Sequence, residues 1–185
     1  MRCSTRHLVA VAVLATAAVG SITGVVDAKP TGPDVPSTID APAGNKPFLV
    51  GHAEGVQIYT CNTTASGFEW TFVAPRAVLY GDNGKRLTTH FAGPTWQARD
   101  GSAVVARRVD GVTVDATAIP WLLLSTVSTT AGTDGDRLTA TTFVQRTHTT
   151  GGLAPAAAGC NATTAGTTAE VPYTADYWFW KATGS

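Results

Sequence analysis

The sequence is short of almost everything that announces a chemistry. It has three cysteines, one methionine and few lysines. It contains no G-x-G-x-x-G, no G-x-S-x-G, no H-E-x-x-H, no P-loop and no EF-hand loop. Nucleotide cradles, the serine hydrolase elbow, the zinc protease helix and the common calcium loop are thereby excluded as readings. Neither sign of charge is in excess, with 13 basic and 13 acidic side chains. Nucleic acid and anionic membrane both demand a basic surface, so neither is expected as a partner. Beyond the first 28 residues the longest apolar run, 119–124, contains Pro120 and is too short to span a bilayer. No stretch after residue 28 shows helical periodicity.

What is present begins with "MRCSTRHLVAVAVLATAAVGSITGVVDAKP". Arg2 and Arg6 give a positive head, Leu8 to Val19 an apolar run, and Val26-Asp27-Ala28 small residues where a signal peptidase reads. Residues 1–28 are therefore expected to be a secretory signal, and the protein to be exported, extracellular or in the cell envelope. Cys3 lies ahead of the apolar run and leaves with it. Removing 28 of the 185 residues leaves 157, one domain's worth and enough to bury a core. Residues 29–46 hold Pro30, Pro33, Pro36 and Pro42 and read as an extended arm; the folded domain is expected over 47–185.

Two cysteines remain, Cys61 and Cys160, each followed by Asn. In an oxidising compartment an isolated pair forms a disulfide. Closing a loop of 99 steps has a chain-entropy ceiling of about 4.7 kcal/mol. Two lone cysteines do not build a zinc cage, so no metal is expected. The triplets at Asn62 and Asn161 fit the glycosylation acceptor pattern, which matters only in a host that reads it.

The periodicity is that of strands. Val56, Ile58 and Thr60 alternate with Gln57, Tyr59 and Cys61; Phe68, Trp70 and Phe72 share a face. Asn83-Gly84 predicts a tight hairpin with both central residues at positive φ, returning as a strand over 86–91. Asp100-Gly101 and Asp110-Gly111 read as further turns. Residues 138–148 form a Thr/Val/Phe strand. In "VPYTADYWFWKA", Tyr177 and Phe179 oppose Trp178 and Trp180, as in a strand held inside the fold. The fold class is all-β: a single-domain β-sandwich or barrel with one disulfide.

Six stretches, "VGHAEGVQIYTC", "WTFVAPRAVLYGDNGK", "HFAGPTWQARDGSAV", "IPWLLLSTV", "TTFVQRTHTTGGLAP" and "VPYTADYWFWKA", resemble in this order the family called domain of unknown function 3455. The likeness covers nearly all of residues 47–182. It implies a secreted protein and carries over no activity. Some members bear a malate dehydrogenase label, to which this sequence lends nothing, having no dinucleotide fingerprint and no βαβ pattern.

The candidates for chemistry are scattered. His52 and Glu54 stand two apart on a strand and share a face, as an acid–base pair would. His90, Asp100 and Ser102 make a triad on paper, although Asp-Gly-Ser more commonly caps its own turn. His148 is expected at an exposed strand end, and Asp134 and Asp136 in a solvated turn. Gln145, Arg146, Tyr173 and Asp176 form a polar set in which a buried Arg146 would need Asp176 or Glu54 as its carboxylate. Trp70, Trp121 and one of Trp178 or Trp180 are assigned to the core. Trp96, after a Gly-Pro turn, is the candidate exposed aromatic, suited to a sugar ring or an extended ligand. The balance leans away from an enzyme, names no cofactor and leaves catalytic residues unknown. It favours an extracellular binding module for a glycan or small polar ligand. The alternatives are a secreted hydrolase or other small-molecule enzyme, and a structural cell-surface protein.

Overall fold

A computed structural model describes residues 31–184. The expected signal segment, 1–28, lies outside them. Among the described residues every long element is a strand: β1 (Asn45–Thr64), β2 (Gly67–Tyr80), β3 (Arg86–Phe91), β4 (Thr95–Ala98), β5 (Ala103–Val112), β6 (Trp121–Thr130), β7 (Thr141–Gly151) and β8 (Thr168–Ala182). Each pairs antiparallel with the next, and β8 returns to β1, closing one sheet into a barrel. Of sandwich and barrel, the barrel is what forms. Closure gives each of the eight strands a partner on both sides over at least part of its length.

Period two sorts the side chains. On β1, Ala53, Gln57, Tyr59 and Cys61 are buried, whereas Val56 and Ile58 are half-buried on the other side of the strand. Small residues sit where the wall bends. A Cβ at Gly55 would collide with the carbonyl of Arg76 on β2, so only glycine lets the two strands close there. Two turn expectations are corrected. Gly81 to Lys85 is a longer connection than a two-residue hairpin, and only Gly84 has positive φ (70°). Asn83 instead accepts a hydrogen bond from the Lys85 N–H through its side chain. Asp110-Gly111 is not a turn but part of β5, next to a register shift between Arg108 and Asp110. Gly111 is small because Leu122 of β6 presses on it.

Residues 31–44 do not trail away. They include a short 3-10 helix, η1 (Ser37–Ile39), packed on β5 and β6, with Ile39 fully buried. The Ile39 carbonyl accepts a hydrogen bond from the Gln145 side-chain amide at 2.6 Å. At the opposite end of β1, Cys61 is bonded to Cys160 in the loop between β7 and β8. The backbone reinforces that tie: Cys61 N–H donates to Thr167, and Gly166 N–H donates to the Cys61 carbonyl.

The two ends of the barrel differ. At one end lie the β2–β3, β4–β5 and β6–β7 connections. Here Leu49, Leu79, Ala98, Val104, Val144 and Phe179 fill the interior with Leu138 from the β6–β7 loop, itself 0% exposed. At the other end the wall is uneven. The β3–β4 hairpin is short, and β3 pairs only with Ala77 to Tyr80 of β2. Residues 67–76 of β2 and 107–112 of β5 rise past it with no strand between them.

A cavity in the open half of the barrel

That gap opens a cavity of about 250 Å³. Its walls are Phe72, Val73 and Pro75 of β2, Gly93 and Pro94 of the β3–β4 turn, and Leu122 and Leu124 of β6. Gln57, His90, Trp96, Arg146 and Tyr177 supply the rest of the lining. The mouth is apolar too: Phe72 and Val73 are exposed there, on the stretch of β2 that lacks a β3 neighbour. A concave, mainly apolar site with a few converging polar groups is the usual form of a small-molecule pocket.

Trp96 and His90 face each other across the β3–β4 register and stack, with ring centres 4.2 Å apart and planes 7° from parallel. Tyr177 leans on both rings. His90 Nδ1 lies 2.9 Å from the Thr95 carbonyl, which can only accept. Nδ1 therefore carries the proton and Nε2 keeps its lone pair. Full burial is the main cause that drives the His90 pKa down, to about 3, and the nearby Arg146 charge adds to it. His90 is thus a neutral imidazole at any ordinary pH.

Arg146 stands opposite Tyr177 on the inner face, half-buried. Its Nε and Nη2 both donate to the Pro120 carbonyl, at 3.0 and 2.7 Å. A guanidinium has five N–H groups; no carboxylate among the described residues pairs with this one. Gln57 is 3% exposed, and its amide nitrogen has no hydrogen-bond partner although it faces the Tyr173 hydroxyl. Tyr173 and Tyr177 share a hydrogen bond of 3.3 Å, and burial pushes the Tyr173 pKa upward. Tyr59 donates to the Gly152 carbonyl.

The expected site residues divide between the inside, the outside and the two rims. His90, Arg146 and Tyr173 come together inside. Trp96 joins them, but the expectation of an exposed indole is corrected: it is 0% exposed, because β4 turns it inward beneath His90 and Phe179. Trp96 is also the fully buried tryptophan, while Trp70, Trp121, Trp178 and Trp180 are half-buried. Asp100 and Ser102 sit at the sealed end. Asp100 accepts from the Ser102 N–H and hydroxyl and from the Arg137 N–H, and Ser102 Oγ accepts from Leu138 N–H. These bonds, the Ser102 hydroxyl first, lower the Asp100 pKa. His90 bonds neither, so the three form no triad. Gln145 is one residue out of phase with Arg146 and lies on the outer face under η1. For the same reason Asp176, beside inward Tyr177, points outward and cannot serve Arg146. Glu54 is exposed on the outer face and shares no hydrogen bond with His52.

Asp176 does organise a second group, outside the barrel. Its two carboxylate oxygens meet His52 Nδ1 at 2.6 Å and His148 Nδ1 at 3.0 Å, and His52 Nε2 reaches Asp82 at 2.9 Å. The bonds to Asp82, foremost, and to Asp176 raise the His52 pKa. His148 adopts φ 48° where the β7–β8 register shifts, and lies against Trp121. The hydroxyl that meets this group is that of Thr147, 3.1 Å from His148 Nδ1; it is fully buried and also accepts from the Trp178 indole N–H. No set of three or more His, Cys, Asp or Glu among the described residues is arranged to hold a metal ion.

Gln57, Tyr177, Phe72, Leu122 and Leu124 line the cavity without having been singled out from sequence. The signal for Gln57 was its place in phase with Ala53, Gly55 and Tyr59. For Tyr177 it was its phase with Phe179.

Residues 42–181 match the family model described as "Protein of unknown function (DUF3455)", and the chain belongs to that family. No curated protein and no solved structure matches it.

Proposed function

We propose that this member of the DUF3455 family is an exported binding protein that takes one small molecule into the open half of its barrel. The observation that carries the reading is the cavity itself. It is apolar at the mouth and walls, and reaches the buried Gln57 and the half-buried Arg146, whose hydrogen-bonding capacity the protein does not use up. An eight-stranded barrel has an interior just wide enough to be filled by side chains or to hold one small ligand; here one half does each. The Cys61–Cys160 bond supports an oxidising compartment and so export. Binding is favoured over catalysis because His90 is locked as a neutral imidazole on a backbone carbonyl, with no hydroxyl or thiol nucleophile bonded to it. A glycan platform is the weaker form of the binding idea, since Trp96 offers no open face.

A thermal-shift series with small aromatic and aliphatic molecules tests the reading. A ligand at a hundred times its Kd adds about 2.7 kcal/mol, or roughly 5–10 °C in Tm. Val73 is exposed at the mouth, so Val73→Trp should leave the fold intact and obstruct entry. Shifts that vanish in that variant are expected. If no compound shifts the protein, or shifts persist undiminished in both Val73→Trp and Leu124→Trp, the cavity is not the site.

A further inference from the structure

We propose that the cavity's ligand is a small monocarboxylic acid with a compact apolar body, its carboxylate held by Arg146 and Gln57. The inference rests on the ligand-pocket reading above and gives it a chemical class. The guanidinium lines the cavity while two of its N–H groups grip one carbonyl, that of Pro120. This grip fixes its plane, so the other N–H groups present a set fork. A half-enclosed cation among Phe72, Pro75, Leu122 and Leu124 lacks the counter-charge that a buried charge requires. A carboxylate supplies it and matches the fork in geometry, with two parallel N–H···O bonds.

Gln57 is the independent observation. Its buried amide nitrogen makes no hydrogen bond of good geometry, with only the Tyr173 hydroxyl near it, and such a donor is costly unless something accepts from it. It lines the same cavity as Arg146, so both offer donors to one guest. The lining contains no acidic side chain to compete. His90 adds no second positive charge. Its Nε2 is a lone pair, fixed by the Nδ1–H bond to Thr95, which suits a ligand bearing a hydroxyl near its acid group. The volume, about 250 Å³, is below the usual range of roughly 300–1,000 Å³. A single ring or a short branched chain fits such a space; a long fatty chain does not. Inorganic phosphate would meet the charge but leave the apolar walls wet, and so is not the class.

The test uses matched acids and neutral isosteres on the unaltered protein: benzoate against benzamide, 4-hydroxybenzoate against 4-hydroxybenzamide, with inorganic phosphate and dodecanoate as further probes. Titration calorimetry should show the acids at least tenfold tighter than their amides, and no heat from phosphate or dodecanoate. Arg146→Met should cost the acids roughly thirtyfold or more while moving the amides little. Should loss of the Pro120 grip unfold that variant, Gln57→Leu decides, with an expected several-fold loss confined to the acids. If acids and amides bind equally, and Gln57→Leu leaves both unchanged, the acid assignment is overturned while the pocket stands. Preference for phosphate or dodecanoate would overturn it in the same way. If nothing binds, both fall together.

Discussion

The two halves of this barrel are built from the same eight strands and solve opposite problems. At the sealed end Leu138 drops in from the β6–β7 loop, and Leu79, Val104, Val144 and Phe179 surround it. Asp100 and Ser102 there spend their oxygens on the loop that carries Leu138, and the buried Thr88 hydroxyl, opposite Leu79, stays unpaired on the inner face of that half. At the open end the interior holds Gln57, His90, Tyr173, Tyr177 and Arg146, and the polar atoms face inward without all being paired. Trp96 is the boundary, edge-on to Phe179 on one side and stacked on His90 on the other. The difference teaches which half supplies stability. Apolar filling and satisfied loops do so at one end. At the other, unsatisfied donors and a lone cation are tolerated because the sealed end and the disulfide hold the wall in place.

Truncation should expose this asymmetry most sharply. Leu138→Ala opens a void where nothing can relax into it, and should cost about 3–4 kcal/mol. Leu122→Ala only widens a cavity that already exists, and should cost about 1 kcal/mol. Urea denaturation of the two variants checks the ordering. Equal losses would mean that the open half is as tightly packed as the closed one.

How legible this was in the sequence depended on which rule each residue obeyed. The strands, the disulfide and the return strand at Arg86–Phe91 follow local alternation and cysteine chemistry, and were readable. The choice of barrel over sandwich was not, because closure is a matter of β8 meeting β1 across the whole chain. Within the site, phase decided. Arg146 and Gln145 are adjacent, yet one faces the cavity and the other η1. Asp176 and Tyr177 part in the same way. A polar pair in sequence therefore gave no pair in space. Trp96 was misread because a Gly-Pro turn suggests a surface, whereas strand β4 begins just after it and buries its second residue. Val56 and Ile58 drew attention away from Gln57, since apolar residues also cover the outside of this wall.

The histidines carry the same comparison into pH. His90, inside, has a folded pKa of about 3 against an ordinary value of 6.5. The unfolded chain binds the proton that the folded one refuses. The stabilising contribution is therefore complete above pH 6.5 and is lost as pH falls towards the folded value. By pH 5 the loss is about 2 kcal/mol. His90→Gln, though less stable at neutral pH without the stacked ring, should lack that acid slope. Stability curves at pH 7 and pH 5 for both proteins give the answer, and parallel slopes would contradict the neutral, buried imidazole.

His52, outside, should run the other way and by much less. Its bonds to Asp82 and Asp176 raise its pKa above 6.5. The folded chain holds a proton that the unfolded one releases, so its contribution is present below pH 6.5 and fades as pH rises through the folded value. Asp82 is largely exposed and Asp176 only partly shielded, so solvent screens the group, and exposed pairs of this kind contribute about 0.2–1 kcal/mol. His52→Gln should therefore lower Tm slightly at pH 5.5 and not at pH 8.5. It should do so less at high salt, because exposed charges are screened there. A deficit that is the same at both pH values would show that His52 matters for its packing on the wall and not for its charge. The outer lattice of two histidines and two aspartates would then be a by-product of strand phase, with Asp176 turned outward simply because Tyr177 is turned in.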